Sequence, residues 1–134
     1  MPIKKEWRDE ILTNFENASK EYNQNANIQR FFALRLAKEC VKHSIQNGLW
    51  VDLGAGTGLL AEALENHYSN QAVLRVDGSS GMLSEQKEKN NSILWDLNHG
   101  LPPFTESPKL VASNFALQWL SEPIQRLQEW INVL

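Results

Sequence analysis

With 134 residues, 42% of them hydrophobic and 22% charged, the chain has the composition of one ordinary globular domain with a single core. A formal net charge of −3 with no dense Lys/Arg stripe argues against a nucleic-acid partner. The opening residues 1–7 are followed by no apolar h-region, no apolar run approaches the roughly 20 residues of a membrane span, and Cys40 is the only cysteine; a cytoplasmic protein with no membrane partner and no disulfide framework is expected.

Along the chain, Trp7, Ile11, Phe15 and Ala18 recur at helical spacing, and Ile28, Phe32, Leu36 and Cys40 do so again behind Asn27, a residue type suited to an N-cap. Two helices are therefore expected first, with Cys40 on the apolar, core-facing side of the second. Residues 49–53 form an apolar strand that runs into Gly54, Ala55, Gly56, Thr57 and Gly58, after which residues 59–66 read as a helix. Glycines suit such a turn because they accept positive φ and, lacking a Cβ, let the backbone approach a ligand at a helix N-terminus. The spacing G-x-G-x-G is one residue short of the dinucleotide fingerprint G-x-G-x-x-G. An acid just before the first glycine, Asp52, would repel a phosphate and attract an ammonium group.

Residues 72–76 read as a second strand ending at Asp77, which lies 21 residues after Gly56, the spacing at which a carboxylate accepts ribose hydroxyls in nucleotide-binding α/β folds. A polar helix over residues 82–90, a short strand over 92–95 and a fourth strand over 109–113 follow. The last helix is expected to start at Ser121 with Glu122 and Pro123 in its first turn and an apolar face of Ile124, Leu127, Ile131 and Leu134. Alternating strands and helices imply a parallel sheet with right-handed crossovers and ligands at the C-terminal ends of the strands. His43, His67 and His99 have no metal-ligand spacing, so no metal is expected.

The stretch from Asp52 to Gly58, with Asp77 behind it, resembles the first motifs of class I S-adenosylmethionine-dependent methyltransferases. That resemblance implies a Rossmann-like sheet of order 3-2-1-4 as far as the chain runs, preceded by two helices, and S-adenosyl-L-methionine as cofactor. It implies cofactor contacts at Asp52, Gly54, Ala55, Gly56 and Gly58, at Asp77, Gly78 and Met82, and at Asp96 and Leu97, where a carboxylate and the next backbone amide would meet adenine. An Asp followed by Asn98, His99, Gly100 and two prolines also suits plain turn chemistry. Residues 113–119, Ser-Asn-Phe-Ala-Leu-Gln-Trp, resemble the family's motif after the fourth strand, which places Asn114 at the cofactor and Phe115, Gln118 and Trp119 in the methyl-transfer pocket, although Phe115, Leu117 and Trp119 also suit core packing.

Residues 15–30 are similar to the opening of the biotin-pathway malonyl-acyl-carrier-protein O-methyltransferases, with a phenylalanine, an alanine, a tyrosine and a Gln-Arg pair in similar register. By that resemblance residues 1–46 fold over the cofactor, Tyr22 and Gln29 helping to close the site, and residues 47–134 form a partial cofactor-binding domain. The acceptor is then the carboxylate of a malonyl thioester on acyl carrier protein or, as the alternative, a small acid such as trans-aconitate. No catalytic residue is assigned. The family's sheet has three further strands, so the resemblance implies an edge at the fourth strand, with Leu110, Val111 and Ala112 free to pair with another chain, and a cofactor half-site with little turnover of its own. A cofactor-binding module without chemistry and a nicotinamide-binding half-domain are the readings from other classes.

Overall fold

The computed structural model describes residues 22–84 and 91–134. Helix α1 (Tyr22–Val41) leads into β1 (Trp50–Leu53), followed by α2 (Leu59–His67), β2 (Val73–Asp77), α3 (Ser80–Ser84), β3 (Ser92–Leu94), β4 (Leu110–Ala112) and α4 (Pro123–Asn132), with single 3-10 turns at Leu97–His99 and Leu117–Trp119. The four strands are parallel in the order β3-β2-β1-β4, as the family resemblance implies. Central β1 is buried at every position, the expected state of a parallel strand covered on both faces.

Alternation along β1 and β2 divides the core in two. Trp50 and Val73 face α1 and α2, joining Ala33, Ala37, Leu60, Ala61, Ala63 and Leu64; Val51, Leu53 and Val76 face the other way, where Leu97 and Trp130 of α4 cover them. The Trp50 ring meets Tyr68 edge-on at 4.8 Å. Arg75 lies on the α2 side of β2 although it is 4% exposed. Glu65 of α2 meets it at 2.6 and 3.1 Å, the partner that a buried ion needs.

Strand bounds differ from the sequence reading by a residue or so at either end, but two helices differ in substance. α1 starts at Tyr22, so Asn27 lies inside it and caps nothing. Its inward face is not Ile28, Phe32 and Leu36, which are 48, 42 and 37% exposed, but Ala33 and Ala37, with Cys40 packed beside them; small side chains let α1 lie close on α2. Burial pushes the Cys40 thiol up from its ordinary value. In α4, which begins at Pro123 with Glu122 flanking it, the stripe Ile124, Leu127, Ile131 and Leu134 is exposed, and Trp130 is the residue turned to the sheet. The polar third helix begins two residues earlier than expected, at Ser80; its continuation over residues 85–90 and the helix expected over residues 7–18 lie outside the described residues. Among the described residues β4 pairs with β1 alone and so forms an edge, and no helix is long and apolar enough to cross a membrane.

Candidate cofactor site

The C-terminal ends of the four strands converge on the loop of residues 54–58. Gly54, Gly56 and Gly58 all have positive φ, +73°, +58° and +91°, a region that costs other L-residues roughly 1–2 kcal/mol. The loop is stitched to β2: the amides of Gly54 and Ala55 both donate to the Val76 carbonyl, at 2.8 and 3.0 Å, and the Gly56 amide donates to Asp77 Oδ2 at 2.9 Å. A Cβ on Gly54 would stand 2.5 Å from Cβ of Ala116, whereas a Cβ on Gly56 would meet nothing within 4 Å. Gly54 is thus fitted against the β4 exit, and Gly56 borders open space.

Asp77 organises this corner from the end of β2. Its Oδ1 accepts the Ser79 amide at 2.8 Å while Oδ2 holds Gly56, and each carboxylate oxygen retains a further lone pair for a ligand. Gly78, whose φ is not positive, follows it, and Met82 stands exposed on α3. At the β3 end, the Trp95 amide donates to the Asp77 carbonyl at 2.9 Å. Asp96 caps the following 3-10 turn, its Oδ1 accepting the Asn98 amide at 2.9 Å. The Leu97 side chain belongs to the core, so any contact of Leu97 with a ligand runs through its backbone.

Asp52 lies within the first strand, as the reading of residues 49–53 expects. It is 1% exposed, and its Oδ2 accepts the amide of Ala61 in the first turn of α2 at 3.2 Å. Gly58, held left-handed, offers α2 no side-chain cap, and Asp52 supplies one from the neighbouring strand. Burial pushes its carboxyl up to about 7, against the Ala61 amide and Arg75, which favour the ionised form.

The β4 exit ties α1 to the sheet end. Asn114 Nδ2 donates to the backbone carbonyl of Gln29 at 3.1 Å, so Gln29 takes part through its main chain. Ser113 Oγ donates to the carbonyl of Leu53, the last residue of β1, at 2.7 Å. Phe115 has φ +59°, an outlier for an aromatic residue and a form of local strain that clusters at functional sites; its exposed ring meets Phe32 of α1 edge-on at 5.6 Å, and Phe32 meets Phe31 at 5.3 Å. Gln118 and Trp119 are exposed on the next 3-10 turn. Tyr22 opens α1, and its side chain lies outside the described residues. Sequence reasoning missed Phe32 as a neighbour of Phe115, Ala116 as the floor under Gly54 and Ser79 as a partner of Asp77. Only Ser79 left a local signal, being two residues from an acid at a strand end. Among the described residues no group of three or more His, Cys, Asp or Glu side chains is placed to hold a metal ion.

A family profile described as "Methyltransferase domain" matches residues 51–134. The chain is 31% identical over 127 residues to a malonyl-[acyl-carrier protein] O-methyltransferase of Neorickettsia risticii (strain Illinois), covering 90% of this chain and 49% of that protein. It is 29% identical over 128 residues to the Yersinia pestis protein of the same name, covering 92% and 45%. Thus the chain spans about half the length of these relatives. Among solved structures, the plantazolicin methyltransferase BpumL in complex with SAH superposes with a TM-score of 0.60 at 16% identity, over 98% of this chain and 50% of that one. Phosphoethanolamine N-methyltransferase 1 of Haemonchus contortus, in complex with phosphoethanolamine and S-adenosylhomocysteine, gives 0.58 at 21% identity, over 96% and 29%. These likenesses bear on the fold.

Proposed function

Because the chain belongs to the methyltransferase domain family, we propose that the loop of residues 54–58 and Asp77 bind S-adenosylmethionine for methyl transfer to a carboxylate, that of a malonyl group on acyl carrier protein. The observation that carries the reading is the loop itself. Three left-handed glycines are held by Val76 and Asp77 with open space beside Gly56, and the acid at the end of β2 suits ribose hydroxyls better than phosphate. Buried Asp52, one of whose oxygens has no partner, adds negative charge, when its carboxyl is ionised, near a ligand that carries positive charge.

The cofactor supplies a methyl group activated by a sulfonium; everything else falls to the chain. Asp77 offers its free lone pairs to the ribose, Asp96 and the Leu97 amide meet adenine, Gly78 and Met82 border the ribose and base, and Asn114 holds α1 across the β4 exit. Helix α1, tied to the β4 exit through Gln29, closes over this surface, and residues 47–134 carry the binding site; the remainder of the expected closing segment, residues 1–21, lies outside the described residues. Phe115, Gln118 and Trp119 wall the acceptor side and exclude water. A carboxylate acceptor is already an anion and needs no general base, which is why no catalytic residue is assigned; positioning in well-oriented systems supplies roughly 7–11 kcal/mol. The exposed rings of Phe32 and Phe115 favour an acceptor with an apolar arm over a small free polyacid. Support for acyl carrier protein comes from the names of relatives near 30% identity.

Calorimetric titration tests the cofactor. S-adenosylmethionine or its demethylated product should bind, and Asp77→Ala, which loses hydrogen bonds to a charged acceptor worth roughly 1.5–3 kcal/mol each, should weaken binding by about one to two orders of magnitude. Binding of NAD in its place refutes the proposal.

A further inference from the structure

Asp52 combines features that cofactor contact alone does not explain. Its Oδ2 holds the α2 N-terminus through Ala61 at 3.2 Å, and its Oδ1 is buried without a hydrogen-bond partner. Few charges surround it. From β2, Arg75 and Asp77 share its face of the sheet, and Arg75 is committed to Glu65 of α2. Ala33 and Ala37 of α1 and Ala112 of β4, its partner in register, are uncharged, and Glu62 of α2 is exposed.

Its location gives that carboxyl leverage over the glycine loop. Asp52 enters the loop through Leu53, and the helix it caps is the one that begins where the loop ends, at Leu59. A charge at this point lies two residues before Gly54 and against the helix that leaves the loop, in a region of low dielectric where charge interactions are strong. A cation seated on the loop offsets the desolvation that keeps a proton on Asp52; a neutral ligand offsets less of it.

We propose that Asp52 is a proton-coupled positioning residue: the glycine loop takes up its cationic cofactor with Asp52 as the carboxylate, so that binding expels the Asp52 proton to solvent. Resting on the loop being the S-adenosylmethionine site, this adds that the loop separates the sulfonium cofactor from its neutral thioether product by charge. The carboxyl of the free protein, pushed up to about 7 by burial, is part-protonated near neutral pH. Each unit by which binding lowers that value tightens cofactor binding tenfold as pH rises across the interval.

Titration calorimetry at pH near 7, in two buffers of different ionisation enthalpy, counts the protons. The expected result for the wild-type chain is release of up to about half a proton per S-adenosylmethionine, less for S-adenosylhomocysteine, and none for Asp52→Asn. Carboxyl ¹³C NMR of Asp52 in the unsubstituted protein reads the same event without a variant, as a move to the ionised position on adding S-adenosylmethionine. Binding without proton release, equal release with both ligands, or undiminished release in Asp52→Asn overturns this inference alone. Failure of S-adenosylmethionine to bind at all overturns the proposed function with it.

Discussion

Gly54 and Gly56 share a backbone conformation and differ in what surrounds them, and the difference separates folding from binding. Alanine at Gly54 adds left-handed strain to a Cβ contact of 2.5 Å with Ala116; overpacking of this kind typically costs about 1–3 kcal/mol, and the urea midpoint should fall accordingly. Alanine at Gly56 carries the strain alone, roughly 1–2 kcal/mol, because its Cβ meets no protein atom within 4 Å. It should instead remove most of the calorimetric affinity for S-adenosylmethionine, since the new methyl occupies the surface a ligand would touch. Equal stability losses in the two variants would contradict this division. The glycines and Asp77 were legible in the sequence because spacing along the chain specifies a turn and the acid that faces it. Asp52 was legible as a strand residue, but that its side chain turns under α2 to hold Ala61 is visible only in the fold.

At the scale of elements, α1 shows how a correct helix can carry a wrong face. The larger residues Ile28, Phe32 and Leu36 drew the sequence reading, but close approach to α2 selects Ala33 and Ala37, 1 and 0% exposed. Ala37→Leu should therefore destabilise the fold by about 1–3 kcal/mol through overpacking, while Leu36→Ala, at a position open to solvent, should fall within roughly 0.5–1 kcal/mol. Chemical denaturation of the two variants side by side checks the assignment, and the reverse order would restore the Ile28, Phe32, Leu36 face. α4 repeats the lesson: its regular stripe of Ile124, Leu127, Ile131 and Leu134 is exposed, and Trp130 alone is buried. A 3.6-residue period identifies a helix but does not state which neighbour the helix has.

For the molecule as a whole, Asp52 links folding to pH. Its carboxyl titrates at about 7 in the folded chain against 3.8 as its ordinary value, so between those values the folded state holds a proton that the unfolded state has lost. Stability from this group is therefore complete below the unfolded value and declines as pH rises through about 7, with no further change above it. Urea unfolding of the wild type and Asp52→Asn at several pH values between about 4 and 8 isolates the contribution as the difference between the two curves. The wild type should lose stability relative to the variant across that window, and parallel curves would show that Asp52 stays ionised throughout.

By itself the sequence determined the local punctuation of this protein: apolar runs that can only be buried strands, a strand-turn-helix built on three glycines, and an acid at the end of β2. Those follow from steric limits and hydrogen-bonding capacity within a few residues. Tertiary structure alone decided which face of α1 and α4 is covered, that Arg75 finds Glu65, that Ala116 lies under Gly54, and that Asn114 reaches the Gln29 carbonyl 85 residues away. Those depend on which surfaces meet across the sheet, and no spacing along the chain encodes a meeting between segments so far apart.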